Sequence, residues 1–510
     1  MAKQQPPPPP ARTHDITIDD YLTVHQLTDC VASPDGRHVA YCEMRWGEHD
    51  EPRFTNIWVA NTQGGRPVRL TFENTSDSSP RWSADSRRIF FLGKRTRAGE
   101  RKPPYDGARQ VWAIGLEPGE LQPGEPQPVT RVPGGIEAFE LARDGRTLYF
   151  TRAGAEADRE WKELRKKYAN INFTPAVVKY TELWKLDLEN WRQEQVAAPR
   201  RVILEFEVAP DGTRVALITS PDDRLISKEG QSRVDVFDVA TGELRTLPDK
   251  LYRGLDVPSP YGWVENLAWS DDGRALAWTV DFDGYPGEIL VAEWADLEVQ
   301  DIVDRTVKAM VEVHDRAAQW GTPQSTQPAE APAETPVDTS ANVWRLTRPE
   351  QMTCGGRLMW RPKSRDLCLI GEQRARRGVV CISKVEGGRQ GEHTLLTPGD
   401  IVTFFYSFPA DGQHVAVARG DTQDAVNVYW YDIAGFSAGA QNQLAALPKR
   451  LTDINPQIDS WKLPQISLVQ WKAPDGAGVE GVLELPPDWK PGDPPLPLVV
   501  ECHGGPSDAT

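Results

Sequence analysis

The chain lacks a long apolar run. No stretch of its 510 residues approaches the length that crosses a bilayer, so no membrane partner is expected. Its first residues, Met1 to Gln5, lead into five prolines, Pro6 to Pro10, and not into the apolar core of a signal peptide. The expected location is cytoplasmic, with residues 1–18 a disordered, stiff, proline-rich tail. Basic charge is also short: 58 Lys and Arg stand against 74 Asp and Glu, a formal net charge of -16. A surface of that sign repels phosphate and favours solubility, so no nucleic-acid partner is expected.

Cysteine and histidine are scarce. The six cysteines, Cys30, Cys42, Cys354, Cys368, Cys381 and Cys502, show no paired short spacing of a zinc site. They are expected to be buried free thiols in a reducing compartment, with Cys30 and Cys42 placed symmetrically about one hairpin. The eight histidines are dispersed, without a His-Glu-x-x-His spacing. Asp281-Phe282-Asp283-Gly284 places its glycine too early for a calcium loop and reads as a turn between strands. No metal and no cofactor are expected.

What the chain has is a repeat. A polar turn, often Ser/Pro-Asp-Gly, is followed each time by an apolar strand. The copies are Ser33-Pro34-Asp35-Gly36, Ser83-Ala84-Asp85-Ser86, Arg143-Asp144-Gly145, Pro210-Asp211-Gly212, Asp271-Asp272-Gly273, a degenerate Pro362-Lys363-Ser364, and Ala410-Asp411-Gly412. Pro pre-sets φ, Asp bonds the backbone two residues on, and Gly accepts positive φ. Third strands follow most turns, as in Asn56–Val59, Gln110–Ala113, Glu182–Lys185, Val234–Phe237, Glu288–Val291 and Asn427–Trp430. Fragments such as Val68–Thr71 and Trp344–Thr347 read as outer fourth strands. Seven such units argue for a seven-bladed β-propeller over residues 19–462 and against a two-sheet sandwich. Two long steps carry insertions, at about 155–180 and 296–341. Glu156–Tyr168 and Asp301–Trp320 have helical spacing, and Gly321–Ser340 reads as a disordered loop. The 18 Trp, recurring at one strand position in several units, read as core.

From residue 463 the pattern changes. Ile466–Trp471, the turn Pro474-Asp475-Gly476, and Val479–Leu485 form a hairpin. A proline-rich link leads to an apolar strand, Leu498–Cys502, and then to His503-Gly504-Gly505-Pro506. A strand running into a glycine pair is how an α/β-hydrolase sheet presents the N–H groups of an oxyanion loop. The fold class expected is thus all-β, a seven-bladed propeller followed by the first strands of an α/β-hydrolase domain, 463–510, truncated before its nucleophile.

The blade turns, Trp471-Lys472-Ala473-Pro474-Asp475-Gly476, Gly481-Val482-Leu483-Glu484-Leu485-Pro486, and His503-Gly504-Gly505-Pro506 together resemble the prolyl oligopeptidase family of serine peptidases. The nearest likeness is to its acylaminoacyl peptidase and dipeptidyl peptidase-like branch. The resemblance implies a propeller that restricts entry to short peptides, and a Ser-Asp-His site beyond this chain. His503, Gly504 and Gly505 are the oxyanion-loop candidates, no catalytic residue lies in the chain, and the 510 residues alone are expected to be inactive. Acidic residues such as Glu48, Glu51 and Glu182 are possible contacts for a substrate amine, with nothing in their spacing to choose among them. Gly435-Phe436-Ser437-Ala438-Gly439 matches a nucleophile elbow but belongs to the last blade and precedes the oxyanion loop, so it reads as a blade loop. The other reading is a non-catalytic, TolB-like propeller that binds proteins or peptides. Oligomeric state is open.

Overall fold

The turns fold as their chemistry dictates. In the computed structural model, Asp35 accepts the Ser33 hydroxyl at 2.6 Å and the Arg37 N–H at 3.1 Å, and Gly36 takes φ +70°. The same carboxylate-to-backbone bond recurs at Asp85, Asp144, Asp211, Asp272 and Asp411. Ser86 holds the left-handed position without glycine, at φ +60°, and in the degenerate sixth copy the positive φ falls one residue earlier, on Lys363 at +61°. The structure describes residues 12–502 except 48–51, 73–74, 117–123, 157–165, 169–178, 255–256, 258, 260, 283–284, 295–334, 339, 350–351 and 436–446.

Each turn joins the first two strands of a four-stranded antiparallel meander. Meanders one to five cover 26–69, 78–128, 139–197, 202–246 and 262–346, each its own sheet. Meanders six (353–395) and seven (402–450) share one eight-stranded sheet, joined by a single parallel bridge between Arg377 and Val402. The arrangement is a β-propeller. Second strands are nearly all apolar and buried, as in Val39-Ala40-Tyr41-Cys42 and Ile89-Phe90-Phe91-Leu92, because neighbours cover both of their faces. Ala40 and Ile57 pack on Trp82 and Phe91 of the next meander, and Ile218 and Val236 on Leu276 and Trp278. Burying a residue of that size against a neighbouring sheet contributes about 1.5–3 kcal/mol.

The ring closes without a shared strand among the described residues. Val39 and Tyr41 of meander one pack on Ala416, Ala418 and Leu451 of meander seven. The buried Ser407 hydroxyl accepts the Ala32 N–H at 2.7 Å, and Ala410 N–H reaches Pro34 O at 3.0 Å. Asn455 bonds both backbone groups of His25, at 2.8 and 2.9 Å. The flanking segments then clasp: Thr13 and His14 N–H donate to Ser460 O, and Lys462 N–H to His14 O. The tail expected over 1–18 is therefore tied down from Arg12, whose guanidinium also reaches Ile458 O and Trp461 O.

Three expectations need correction. Cys368 and Cys381 are not free thiols but a disulfide, standing opposite each other in adjacent strands of meander six. Cys30 and Cys42 stay free because the register pairs Cys30 with Tyr41 and Cys42 with Asp29, one step out of line. Leu498–Cys502 forms no strand: no described strand pairs with it, and Leu498, Val499 and Val500 stand exposed. The end of the supposed loop 321–340 is anchored, since Thr246 N–H donates to Pro336 O and Asp338 N–H to Thr246 O. The expected helix over 301–320 and most of that over 156–168 lie outside the described residues. The hairpin appears as read, over Gln465–Lys472 and Gly478–Leu485.

The seam between meanders seven and one gives a test. Ser407→Ala and Asn455→Ala should each destabilise the protein by about 1–2 kcal/mol, read as a lower melting temperature or denaturation midpoint. Wild-type midpoints in both variants would show that the ring is not closed by these bonds.

Candidate functional site

The first strands of neighbouring meanders lie side by side and line the axis of the ring. They alternate, as strands with one buried face do, so two aligned positions before each turn face the axis. At the position nearer the turn stand Arg81, Glu140, Glu207 and Ser407, among apolar residues; two residues earlier stand Asp29, Glu205, Asn266 and Arg357. Charged residues thus converge from five separate stretches of chain.

Backbone geometry fixes their roles. Most of these strands carry a bulge where the register slips, at Leu27/Asp29, Ile203/Glu205, Glu265/Ala268 and Gly355/Met359 among others. Bulges and the open inner edge of each first strand leave N–H groups without strand partners, and side chains of the preceding meander take some of them. Glu205 accepts from Asn266 N at 3.0 Å and Leu267 N at 2.7 Å, with Asn266 at φ +61°. Glu207 accepts from Trp269 N at 2.9 Å. Ser407 plays the same part for Ala32 at the seam. Indoles return the bond: Trp82 Nε1 donates to Val31 O at 3.0 Å, Trp269 Nε1 to Glu207 O at 3.1 Å, and Trp360 Nε1 to Ala268 O at 2.9 Å.

The charges also meet across the ring. Arg81 lies 3.8 Å from Asp29 and 4.0 Å from Glu140. Burial works against the charge of Arg357, but the carboxylates of Asp29, Glu140 and Glu207, with the Tyr406 phenol, outweigh it and raise its pKa. Tyr406 fixes the base of that residue by donating to Arg357 O at 2.8 Å. Burial pushes Glu205 up to about 7, helped by the Glu140 carboxylate and opposed by its two backbone donors. Burial, then the Glu140 carboxylate, raises Glu207 well above the ordinary glutamate range, while Arg357 pulls it down. Glu140 is raised by burial against Arg81 and Arg357. Arg357 remains reachable by water, and Asp29, Arg81 and Glu140 are only half-buried. At such partly exposed positions water screens the charges in part.

Beside Glu205 a cavity of about 290 Å³ opens between meanders four and five, lined by Glu265, Asn266, Trp263 and Lys228. Burial raises Glu265, and burial followed by the Glu265 carboxylate pushes Asp281 up to about 6. This end of the ring carries the appended hairpin, where Glu480 pairs with Arg374 at 3.3 Å. Among the described residues no group of His, Cys, Asp and Glu could hold a metal ion, and no helix is long and apolar enough to cross a membrane.

Of the residues singled out from sequence, His503, Gly504, Gly505, Glu48, Glu51 and Ser437 lie outside the described residues. Glu182 is placed away from the axis, in a middle strand, where it accepts from Arg152 at 3.1 Å and Trp184 Nε1 at 2.9 Å. The axial residues went unread, although the signal was present: Glu205-Phe206-Glu207, Glu140, Arg81 and Arg357 put charge into otherwise apolar first strands at one distance from the repeated turn.

No family model matches the chain. It is 23% identical over 300 residues to dipeptidyl-peptidase 5 of Porphyromonas endodontalis, over 54% of this chain and 40% of that protein. It is 27% identical over 143 residues to the uncharacterised peptidase YuxL of Bacillus subtilis, over 28% of this chain and 20% of the relative. In fold it matches a solved acylaminoacyl peptidase in complex with Z-Gly-Gly-Phe-chloromethyl ketone, with TM-score 0.57 and 13% identity over 93% of this chain and 59% of that one. The chain's relatives are those of the prolyl oligopeptidase family. The chain spans 40% or less of the length of these two curated relatives.

The backbone donors at the rim give a prediction. Glu205→Ala strands the Asn266 and Leu267 N–H groups and should cost about 2–3 kcal/mol in denaturant unfolding. Glu182→Ala, at a partly exposed ion pair, should cost about 1 kcal/mol or less. Equal losses would mean that Glu205 does not hold the rim.

Proposed function

We propose that this chain is the propeller side of a serine peptidase of the prolyl oligopeptidase type that acts on short peptides. The observation that carries the reading is the charged axial rim, which faces the end of the ring bearing the hairpin and can meet the polar termini of a peptide. The peptidase relatives support it. In this reading meanders six and seven are separate blades, so the ring has seven. Residues 1–18 lead in, 19–462 are the propeller, and 463–510 begin the hydrolase domain. His503, Gly504 and Gly505 shape an oxyanion loop whose N–H groups stabilise the tetrahedral intermediate. The nucleophile, Asp and His belong to sequence beyond Thr510, where acyl-enzyme formation and hydrolysis take place. The proposed compartment is the cytoplasm.

Two measurements test this. The 510-residue polypeptide, treated with a fluorophosphonate probe, should take up no stoichiometric label; full labelling would place a working nucleophile within it. The reading frame past codon 510 should run on into a Gly-x-Ser-x-Gly strand-turn-helix, followed by Asp and His. A stop with unrelated sequence beyond would favour the binding-module reading instead.

A further inference from the structure

We propose that the cavity between meanders five and six binds the C-terminal carboxylate of a short peptide with an apolar last residue, and that Arg348 is the partner of that carboxylate. The ligand's being a peptide rests on the peptidase reading above; its being a carboxylate rests on the cavity itself. The cavity holds about 580 Å³. It opens where the fourth strand of meander five (341–346) ends and the chain returns to begin the first strand of meander six at Thr353. Because the strands are antiparallel, first strands begin at the same end of the ring as the turns between second and third strands. One of those turns carries Arg374, which meets Glu480 of the appended hairpin. The cavity therefore lies at the end that bears the hairpin.

Its backbone frame is fixed. Gln390 clamps Thr347, accepting its N–H at 2.7 Å and donating to its carbonyl at 2.9 Å, and the Met352 N–H donates to Pro349 O at 3.3 Å. Leu346, Pro349, Met352 and Pro286 supply the apolar wall. The Met352 sulfur lies over Gly371, where a Cβ would collide with it, so that glycine leaves the room the wall needs. The polar groups differ in commitment. Arg345 is engaged: its Nε lies 3.5 Å from Glu288, and its Nη2 donates to Leu251 O. Arg348 is half-buried, and its guanidinium makes no hydrogen bond or ion pair with any described residue. The hydroxyls of Thr347 and Thr353, on the same lining, have no partner among the described residues either. A cation that has lost part of its water and gained no partner favours an anion. A guanidinium plane takes a carboxylate through two parallel N–H bonds. A phosphate gains nothing from the apolar wall, and a chain of net charge -16 disfavours a dianion. A peptide end offers what the cavity matches, one carboxylate joined to a side chain that the wall can cover.

Isothermal titration of the 510-residue chain tests this with an acetyl-blocked peptide, Ala-Ala-Ala-Phe, as the free acid and as the C-terminal amide. Blocking the amine keeps the acid-rich rim out of the comparison. The acid should bind about tenfold more tightly than the amide. Arg348→Met should bring the acid down to the level of the amide. Arg348→Lys keeps the charge without the planar fork and should retain about a threefold preference. Met352→Ala should weaken both probes about threefold and leave their ratio unchanged. Equal binding of acid and amide, binding of neither, a preference that survives Arg348→Met, or inorganic phosphate that displaces the acid as well as the unlabelled acid does, would overturn the site. The test is independent of the nucleophile. Its failure leaves the fluorophosphonate and reading-frame results untouched, and an Arg348-dependent preference for the acid would stand whichever way those results fall.

Discussion

The ring depends on one repeated interaction: a side-chain acceptor in the first strand of one meander takes a backbone N–H that the inner edge of the next first strand leaves unpaired. Glu205, Glu207 and Ser407 do this at two junctions, one of them the seam where the chain's two ends meet. The indoles of Trp82, Trp269 and Trp360 send a bond back at three junctions. Apolar packing between sheets supplies most of the burial, but it is not directional. The axial bonds set how far each sheet is rotated against its neighbour. They also explain why carboxylates stand in strands that are otherwise apolar. A buried N–H without a partner costs about as much as several exposed ion pairs return.

The periodic part of this architecture was legible from residues alone. Turn, strand and spacing repeat because each unit needs the same positive-φ corner and the same two-sided burial, so Asp35, Asp144 and Asp411 mark their meanders without ambiguity. The hairpin over 465–485 was legible for the same reason. What escaped depended on register. Whether Cys30 faces Cys42 or Cys368 faces Cys381 is decided by a one-residue slip, which local sequence does not encode. The Leu498–Cys502 strand failed on another ground. Its composition suits a central strand, but a strand exists only with neighbours to receive its hydrogen bonds. The axial cluster was visible residue by residue and missed as a set, because its members come together only when the seven turns are aligned and the ring is closed.

Function follows from where the charge sits. A propeller's outer faces and blade junctions are filled by packing, so the axis is the place where polar groups can converge and stay wet. Here that axis holds more carboxylate than guanidinium, next to a cavity with one further acid, Glu265, at the end bearing the appended module. Such a rim suits contact with charged peptide ends, which is the use proposed above for the ring.

The central claim, that charges from separate meanders act as one network across the axis, is tested most directly by a double-mutant cycle. Arg357→Met, Glu140→Gln and the double variant are unfolded in denaturant at neutral pH. The account predicts a coupling energy of about 1–3 kcal/mol between two residues on opposite sides of the ring. Additivity to within about 0.5 kcal/mol would contradict it.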